Sequence, residues 1–169
     1  MEHTNQTREQ GIEKLRELMK DVKFCMLTTV ATDGSLRSRP MTLQQSETDG
    51  DLWFFMEEHS PLADEIEQNP KVNVSFANGD SFVSVSGKAC MRDDPSKKKE
   101  LWQPAYKMWF PQGLDDLDLV LLKIDAESAE YWDTPGTNVV YLFGMLKTLV
   151  TGKPPESITE HETLKLGSA

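Results

Sequence analysis

Phe24-Cys25-Met26-Leu27-Thr28-Thr29-Val30, then Asp33-Gly34, then Leu36-Arg37-Ser38-Arg39-Pro40-Met41-Thr42-Leu43, carry the pattern of two strands joined by a tight turn. The first run is dense in β-branched and aromatic residues, which suit a pleated, half-buried surface. Asp33-Gly34 is a strong hairpin signal, because glycine enters the positive-φ region that tight turns demand. The returning run carries Pro40, which has no N–H to give to a ladder. It therefore belongs at a sheet edge or a bulge. The expectation is antiparallel β structure with one open edge.

Outward from this hairpin the same grammar repeats. Asp49-Gly50 marks a second turn and Asp51 to Met56 a third strand. Val72, Val74 and Phe76 alternate with polar neighbours, Asn78-Gly79-Asp80 turns the chain, and Phe82 to Met91 forms a long strand with a bend at Gly87. Leu117 to Asp125 and Ser128 to Asp133 read as two more strands. Helices flank these strands. Ile12, Leu15, Leu18, Met19 and Val22 fall at helical spacing over residues 8–22. Ser60-Pro61 is an N-cap followed by proline at the first helical position. Asp94-Pro95 opens a charged helix over 95–109, and Thr137 to Val150 reads as a packed helix before a loose polar tail. Six or seven antiparallel strands with regularly spaced turns favour a mainly β barrel in one domain, with its core at about residues 8–150.

The 169 residues suffice for a core without disulfides. With 18 lysines and arginines against 28 acidic residues, the net charge is −10. Such a surface repels nucleic-acid phosphates and anionic membranes. Cys25 and Cys90 lie in apolar strands without CxxC spacing, and the 3 histidines are scattered, so the expectation is two buried thiols and no metal site. The N-terminal residues lack an apolar signal region and no run is long enough to span a bilayer, which makes the cytoplasm the expected location.

No GxSxG, HExxH, P-loop or GxGxxG motif occurs. Three features carry chemistry. Arg37 and Arg39, two apart in a strand, share a face and could grip a phosphate, with Ser38, Pro40, Met41, Thr42 and Gln44 beside them; the competing reading is a solvated edge strand. Phe54-Phe55-Met56 leads into the capped helix at Ser60, whose free N–H groups suit an anion; the competing reading is an ordinary cap over a core strand. Leu101 to Pro111 is rich in aromatics, including Trp109 beside Lys107. It serves either as core or interface, or as a stack for a flat heterocycle.

Several stretches in order carry a resemblance: Arg37-Ser38-Arg39-Pro40-Met41, Leu52-Trp53-Phe54-Phe55-Met56, Glu65 to Val72, Val83 to Ala89, Lys99 to Trp102, Trp109-Phe110-Pro111 and Ala129 to Asp133. Together they resemble the general stress protein branch of the pyridoxamine 5′-phosphate oxidase-like superfamily. The resemblance implies a split β-barrel and a homodimer with FMN in two clefts at the subunit interface. It implies that Arg39 and Ser60 meet the FMN phosphate and that Pro40 to Thr42 face the polar edge of the isoalloxazine. It places Phe54, Phe55 and Met56 beside the ring or ribityl chain, with Lys107 and Trp109 reaching in from the partner. Gln44 stands where the oxidases carry lysine, Pro61-Leu62 where they carry a basic pair, and the tail lacks their arginine motif, which argues against oxidation of pyridoxamine phosphate. The implied function is a stress-related FMN oxidoreductase. The alternatives are a non-catalytic flavin binder or redox sensor, a barrel holding deazaflavin or haem, and a dimeric interaction module.

Overall fold

The computed structural model describes residues 8–46, 51–133 and 160–165. In chain order the elements are α1 (Arg8–Met19), β1 (Phe24–Val30), β2 (Leu36–Thr42), β3 (Gln45–Ser46), β4 (Leu52–Glu57), α2 (Pro61–Gln68), β5 (Lys71–Asn78) and β6 (Ser81–Arg92). Then follow α3 (Pro95–Leu101), 3₁₀ turns at Pro104–Met108 and Gly113–Asp115, β7 (Leu119–Asp133) and β8 (Glu160–Lys165). The strands form one sheet in the order β2-β1-β5-β6-β7-β4-β3, with β8 paired to β7 off that path. Every pairing is antiparallel. This is the expected split β-barrel, with β2 at one end of the path as Pro40 requires.

The turns explain the register. The β1–β2 connection closes with Gly34 at φ 84°, while the Asp33 carboxylate accepts from the Ser35 N–H at 3.0 Å. Gly79, at φ 60°, joins β5 to β6 so that Asn78 pairs with Ser81. Gly87 serves a different need. A Cβ there would lie 2.2 Å from the Asp125 carbonyl oxygen, and the β6–β7 register shifts between Ser86 and Gly87. Across this bulge the Ala126 N–H donates 3.0 Å to the buried Asp51 carboxylate, which also pairs with Lys123 at 2.7 Å.

Apolar side chains sort onto two faces. Leu27, Phe54, Val74, Val85, Leu122 and Ile124 meet Ile12, Leu15 and Leu18 of α1 and Leu62 and Ile66 of α2 in the main core. Phe55, Tyr106, Leu119 and Leu121 form a smaller cluster with Trp53, Trp102 and Phe110 against it. β4 and β7 are thus covered on both sides, which is why Leu119 to Leu122 is continuously apolar rather than alternating. Each such side chain contributes roughly 1.5–3 kcal/mol by burial.

Several expectations are corrected. The two strands read over 117–125 and 128–133 are one, bent at the bulge. The helix read over 95–109 ends at Leu101, because Pro104 disfavours helical backbone at Gln103, whose ψ is 143°. Within α3, Lys98 is buried and donates to the Leu119 carbonyl at 2.9 Å. The polar tail contains β8, which lies along the second half of β7. Cys25 is buried, and desolvation pushes its thiol up to about 12, while Cys90 is only partly covered. The helix expected over Thr137 to Val150 and the Asp49-Gly50 turn lie outside the described residues. No helix among the described residues is long and apolar enough to cross a membrane.

The loop entering α2 is tied to the start of β7. His59 Nδ1 lies 2.5 Å from Asp118 Oδ1, and the His59 N–H donates to the same oxygen at 3.0 Å. The Asp118 hydrogen bond and charge raise the His59 pKa, and the bonds from His59 lower that of Asp118. The raised histidine contributes stability that is full below its unfolded pKa and fades as pH rises through the folded one. The lowered aspartate contributes above its unfolded pKa and fades as pH falls through the folded one.

Two outcomes follow from these contacts. Gly87→Ala forces backbone apart at the bulge and is expected to destabilise the fold by about 1–3 kcal/mol in urea unfolding. Asp118→Asn is expected to return the His59 imidazole toward its ordinary pKa of about 6.5, read by NMR titration of its ring protons.

Candidate functional site

At one end of the sheet, β2 pairs with β1 alone among the described residues. An edge strand turns alternate N–H and C=O groups away from its partner, free for another acceptor or donor. Beyond Thr42 the chain crosses to β4, where the Gln44 N–H donates to the Trp53 carbonyl at 2.9 Å. Opposite this edge stands an arm built from Trp102 to Phe110. Pro104 stops α3, and the following 3₁₀ turn brings Tyr106 onto Phe55 with ring centroids 5.8 Å apart. Trp102 meets Phe55 edge-on at 5.5 Å and Phe110 meets it at 6.2 Å. These contacts fix the arm by aromatic packing rather than by a ladder.

Between edge and arm lies a cleft of ≈ 210 Å³ lined by Phe24, Pro40, Met41, Thr42, Gln44, Phe55, Tyr106, Trp109 and Phe110. Six of the residues singled out from sequence therefore meet: Pro40, Met41, Thr42, Gln44, Phe55 and Trp109. Phe24, Tyr106 and Phe110 were missed. Phe24 could have been found from the hairpin, since it stands opposite Thr42 in the register. Tyr106 and Phe110 were quoted in the aromatic run, but nothing in their spacing says which rings turn to a cleft.

Phe54 and Met56 turn away from the cleft. Alternate residues of a strand point to opposite faces, so their side chains lie in the barrel core, 0% and 4% exposed, while Phe55 between them faces the arm. Trp109 lines the cleft of its own chain beside Tyr106 and Phe110. Lys107 lies outside the cleft lining, with its Cε packed near Gly113.

The arginines turn to α2. Arg39 Nη2 donates to Glu65 Oε2 at 2.7 Å, and Arg37 Nη1 lies 3.4 Å from Oε1. Burial pushes the Glu65 carboxyl up, but hydrogen bonds from Thr29 and Arg39 and the charges of both arginines outweigh it and leave the pKa below the ordinary carboxylate value. Arg39 Nη1 is enclosed and has no hydrogen-bond partner among the described residues. Ser38 shares a 2.7 Å hydrogen bond with Thr28 on the exposed side of the hairpin. Ser60 caps α2: its hydroxyl accepts from the Ala63 N–H at 3.3 Å and donates to the Glu57 carbonyl at 2.8 Å.

Chemically, the cleft offers flat apolar walls, a strand edge whose Thr42 carbonyl accepts from Gln44 Nε2 at 2.9 Å, and Tyr106 as its one titratable side chain among the described lining residues. A planar heterocycle with a hydrogen-bonding edge suits it. Near the N-terminus of α2 the fold also gathers Glu58, His59 and Asp118, with ligand atoms within 4.8 Å of one another. The His59–Asp118 bonds account for that grouping, which the 59-residue separation hid from the sequence reading.

Comparison with known proteins converges on one family. The model of the family described as pyridoxamine 5′-phosphate oxidase like matches residues 10–156. Protein bli-3 of Neurospora crassa is 28% identical over 158 residues, covering 86% of this chain and 76% of that protein. General stress protein 26 of Bacillus subtilis is 37% identical over 70 residues, covering 38% of this chain and 49% of that protein. The crystal structure of a general stress FMN/FAD binding protein from Xanthomonas citri superposes with a TM-score of 0.64 at 31% identity, covering 74% of this chain and 89% of that one. With its antiparallel split barrel, its edge-strand cleft and these matches, the chain belongs to the pyridoxamine 5′-phosphate oxidase-like family, in its general stress protein branch.

Proposed function

We propose that this chain is a flavoprotein that holds FMN in the cleft between the β2 edge and the aromatic arm. The observation that carries the reading is the pairing, in one cleft, of a strand edge at Pro40 to Thr42 with the rings of Phe55, Tyr106, Trp109 and Phe110. An isoalloxazine needs both features: faces that stack and an edge that exchanges hydrogen bonds. The unpartnered Arg39 Nη1, one residue before the cleft's strand segment, suits the ligand's anionic end. The Xanthomonas citri relative, named for FMN/FAD binding, supports the same reading.

When bound, the flavin carries the electrons of an oxidoreductase, and the protein supplies position and electrostatics. The β2 backbone orients the ring edge, while the arm excludes water from one face. A second reading, a flavin binder without turnover, is favoured by the lining itself, where Tyr106 is the one group able to hold or release a proton. Haem is disfavoured, since His59 is committed to Asp118 outside the cleft.

The cleft's ≈ 210 Å³ is below the roughly 300–1,000 Å³ usual for whole small-molecule sites, so a further wall is needed. A homodimer would supply it. Phe24 and Phe82, 57% and 48% exposed, flank a shallow groove over Met26, Pro40, Ser75 and Ala77 that adjoins the cleft through Phe24 and Pro40. An exposed apolar sheet face of this kind suits a second copy of the chain.

The purified protein is expected to bind FMN saturably, with a shift in the visible flavin bands. Trp109→Ala, at a half-exposed position, is expected to weaken FMN by about tenfold without changing the unfolding midpoint. Absence of flavin binding by the wild type would remove the proposal. Steady-state oxidation of NADH or NADPH by the FMN-loaded protein supports the oxidoreductase reading, and its absence despite tight binding supports the non-catalytic one.

A further inference from the structure

Among the described residues, Asp51 and Glu65 are buried carboxylates outside the cleft lining, and Asp51 is committed to the bulge. Glu65, in the second turn of α2, has its side chain 2% exposed, yet it contacts two guanidinium groups and a hydroxyl. Oε2 accepts from Thr29 Oγ1 at 2.6 Å and from Arg39 Nη2 at 2.7 Å, while Oε1 lies 3.4 Å from Arg37 Nη1. Two cations thus share one buried anion, and Arg37 also lies in the field of Asp33.

Geometry leaves one nitrogen of Arg39 without an acceptor among the described residues. A guanidinium is planar and rigid, so a short bond to Nη2 also fixes where Nη1 points. Nη1 is enclosed and lacks an acceptor among the described residues, an arrangement that an anionic oxygen would complete. Arg39 immediately precedes Pro40, Met41 and Thr42, which line the cleft. Thr29, on β1, stands opposite Arg37 in the hairpin register and holds Glu65 from the far side. The carboxylate is therefore braced before it braces the arginine.

We propose that Glu65 is a positioning residue that fixes Arg39 and thereby makes the site select a phosphorylated flavin over an unphosphorylated one. This rests on the flavin reading above and adds to it the origin of phosphate selectivity. Glu65 touches no ligand in this account. Its effect passes through the orientation of one guanidinium, so it alters affinity for the phosphate group and leaves affinity for the ring unchanged.

The test compares FMN with riboflavin, which shares the ring and lacks the phosphate. Dissociation constants for both are measured by flavin fluorescence for the wild type, Glu65→Gln and Thr29→Val, with folding checked by circular dichroism and thermal melting. The wild type is expected to prefer FMN. Glu65→Gln is expected to lose about tenfold in FMN affinity with riboflavin unchanged. Thr29→Val, nearly isosteric and keeping both charges of the ion pair, is expected to show the same loss in smaller degree, and it decides the matter if Glu65→Gln fails to fold. An unchanged FMN-to-riboflavin ratio in the folded variants would overturn the inference. So would tighter FMN binding by Glu65→Gln, which would make Glu65 a competitor of the phosphate. Equal affinity of the wild type for both ligands overturns the inference and leaves the flavin reading intact, whereas no binding of either ligand defeats the flavin reading itself.

Discussion

The pairing of β4 with β7, from Leu52 opposite Ile124 to Glu57 opposite Leu119, governs what faces the cleft. It sends Leu52, Phe54 and Met56 into the barrel together with Val120, Leu122 and Ile124, and it sends Trp53 and Phe55 outward with Leu119 and Leu121. A slip of one residue would exchange the two sets and place Phe55 in the core. The register is held from several sides. The Gly87 bulge sets how β6 meets β7, Asp51 binds the Ala126 N–H beside it, and Lys123 bridges Asp51 and Asp125. Phe55 then provides the surface on which Trp102, Tyr106 and Phe110 assemble. Without that outward ring the arm would lose the aromatic centre it shares with Leu119 and Leu121, and the cleft would lose a wall.

A second constraint is electrostatic. Glu65 links α2 to both strands of the first hairpin through Thr29, Arg37 and Arg39. Removing one partner of a buried charged group strands the other, which makes such clusters sensitive to single changes. Here the same cluster lies at the end of the cleft's strand segment, so a contact that fastens α2 also sets the electrostatics beside the cleft. The charge of the chain as a whole, −10, gives no hint that two arginines share one buried carboxylate here.

Much of this was legible in the residues. Pro40 announced an edge strand, Asp33-Gly34 and Asn78-Gly79 announced their turns, and Ser60-Pro61 announced the start of α2 at the observed position. Gly87 announced a bend, though not that the strand opposite it would continue through as one element. The site was legible where a motif and a strand period agreed, as for Pro40, Met41 and Thr42. It was not legible where a long-range contact decides. Phe54 and Phe55 look equivalent as neighbouring aromatics, and only the face presented to β7 and the arm separates them. Glu65 read as one of several acidic residues on a short helix. Its burial against Thr29 and two arginines depends on how α2 lies across β1, which no local pattern encodes. The strand at Glu160–Lys165 was missed because its formation depends on the free flank of β7 rather than on its own polar residues.

The proposed ligand site is one cleft, between the β2 edge and the aromatic arm. An amide and indole chemical-shift map of the ¹⁵N-labelled protein titrated with FMN tests it most directly. Shifts are expected to concentrate at Met41, Thr42, Gln44, Phe55, Tyr106 and the Trp109 indole, with the Arg39 side chain responding to the phosphate. Shifts that instead gather around Glu58, His59 and Asp118, or a spectrum that FMN leaves unchanged, would contradict that placement.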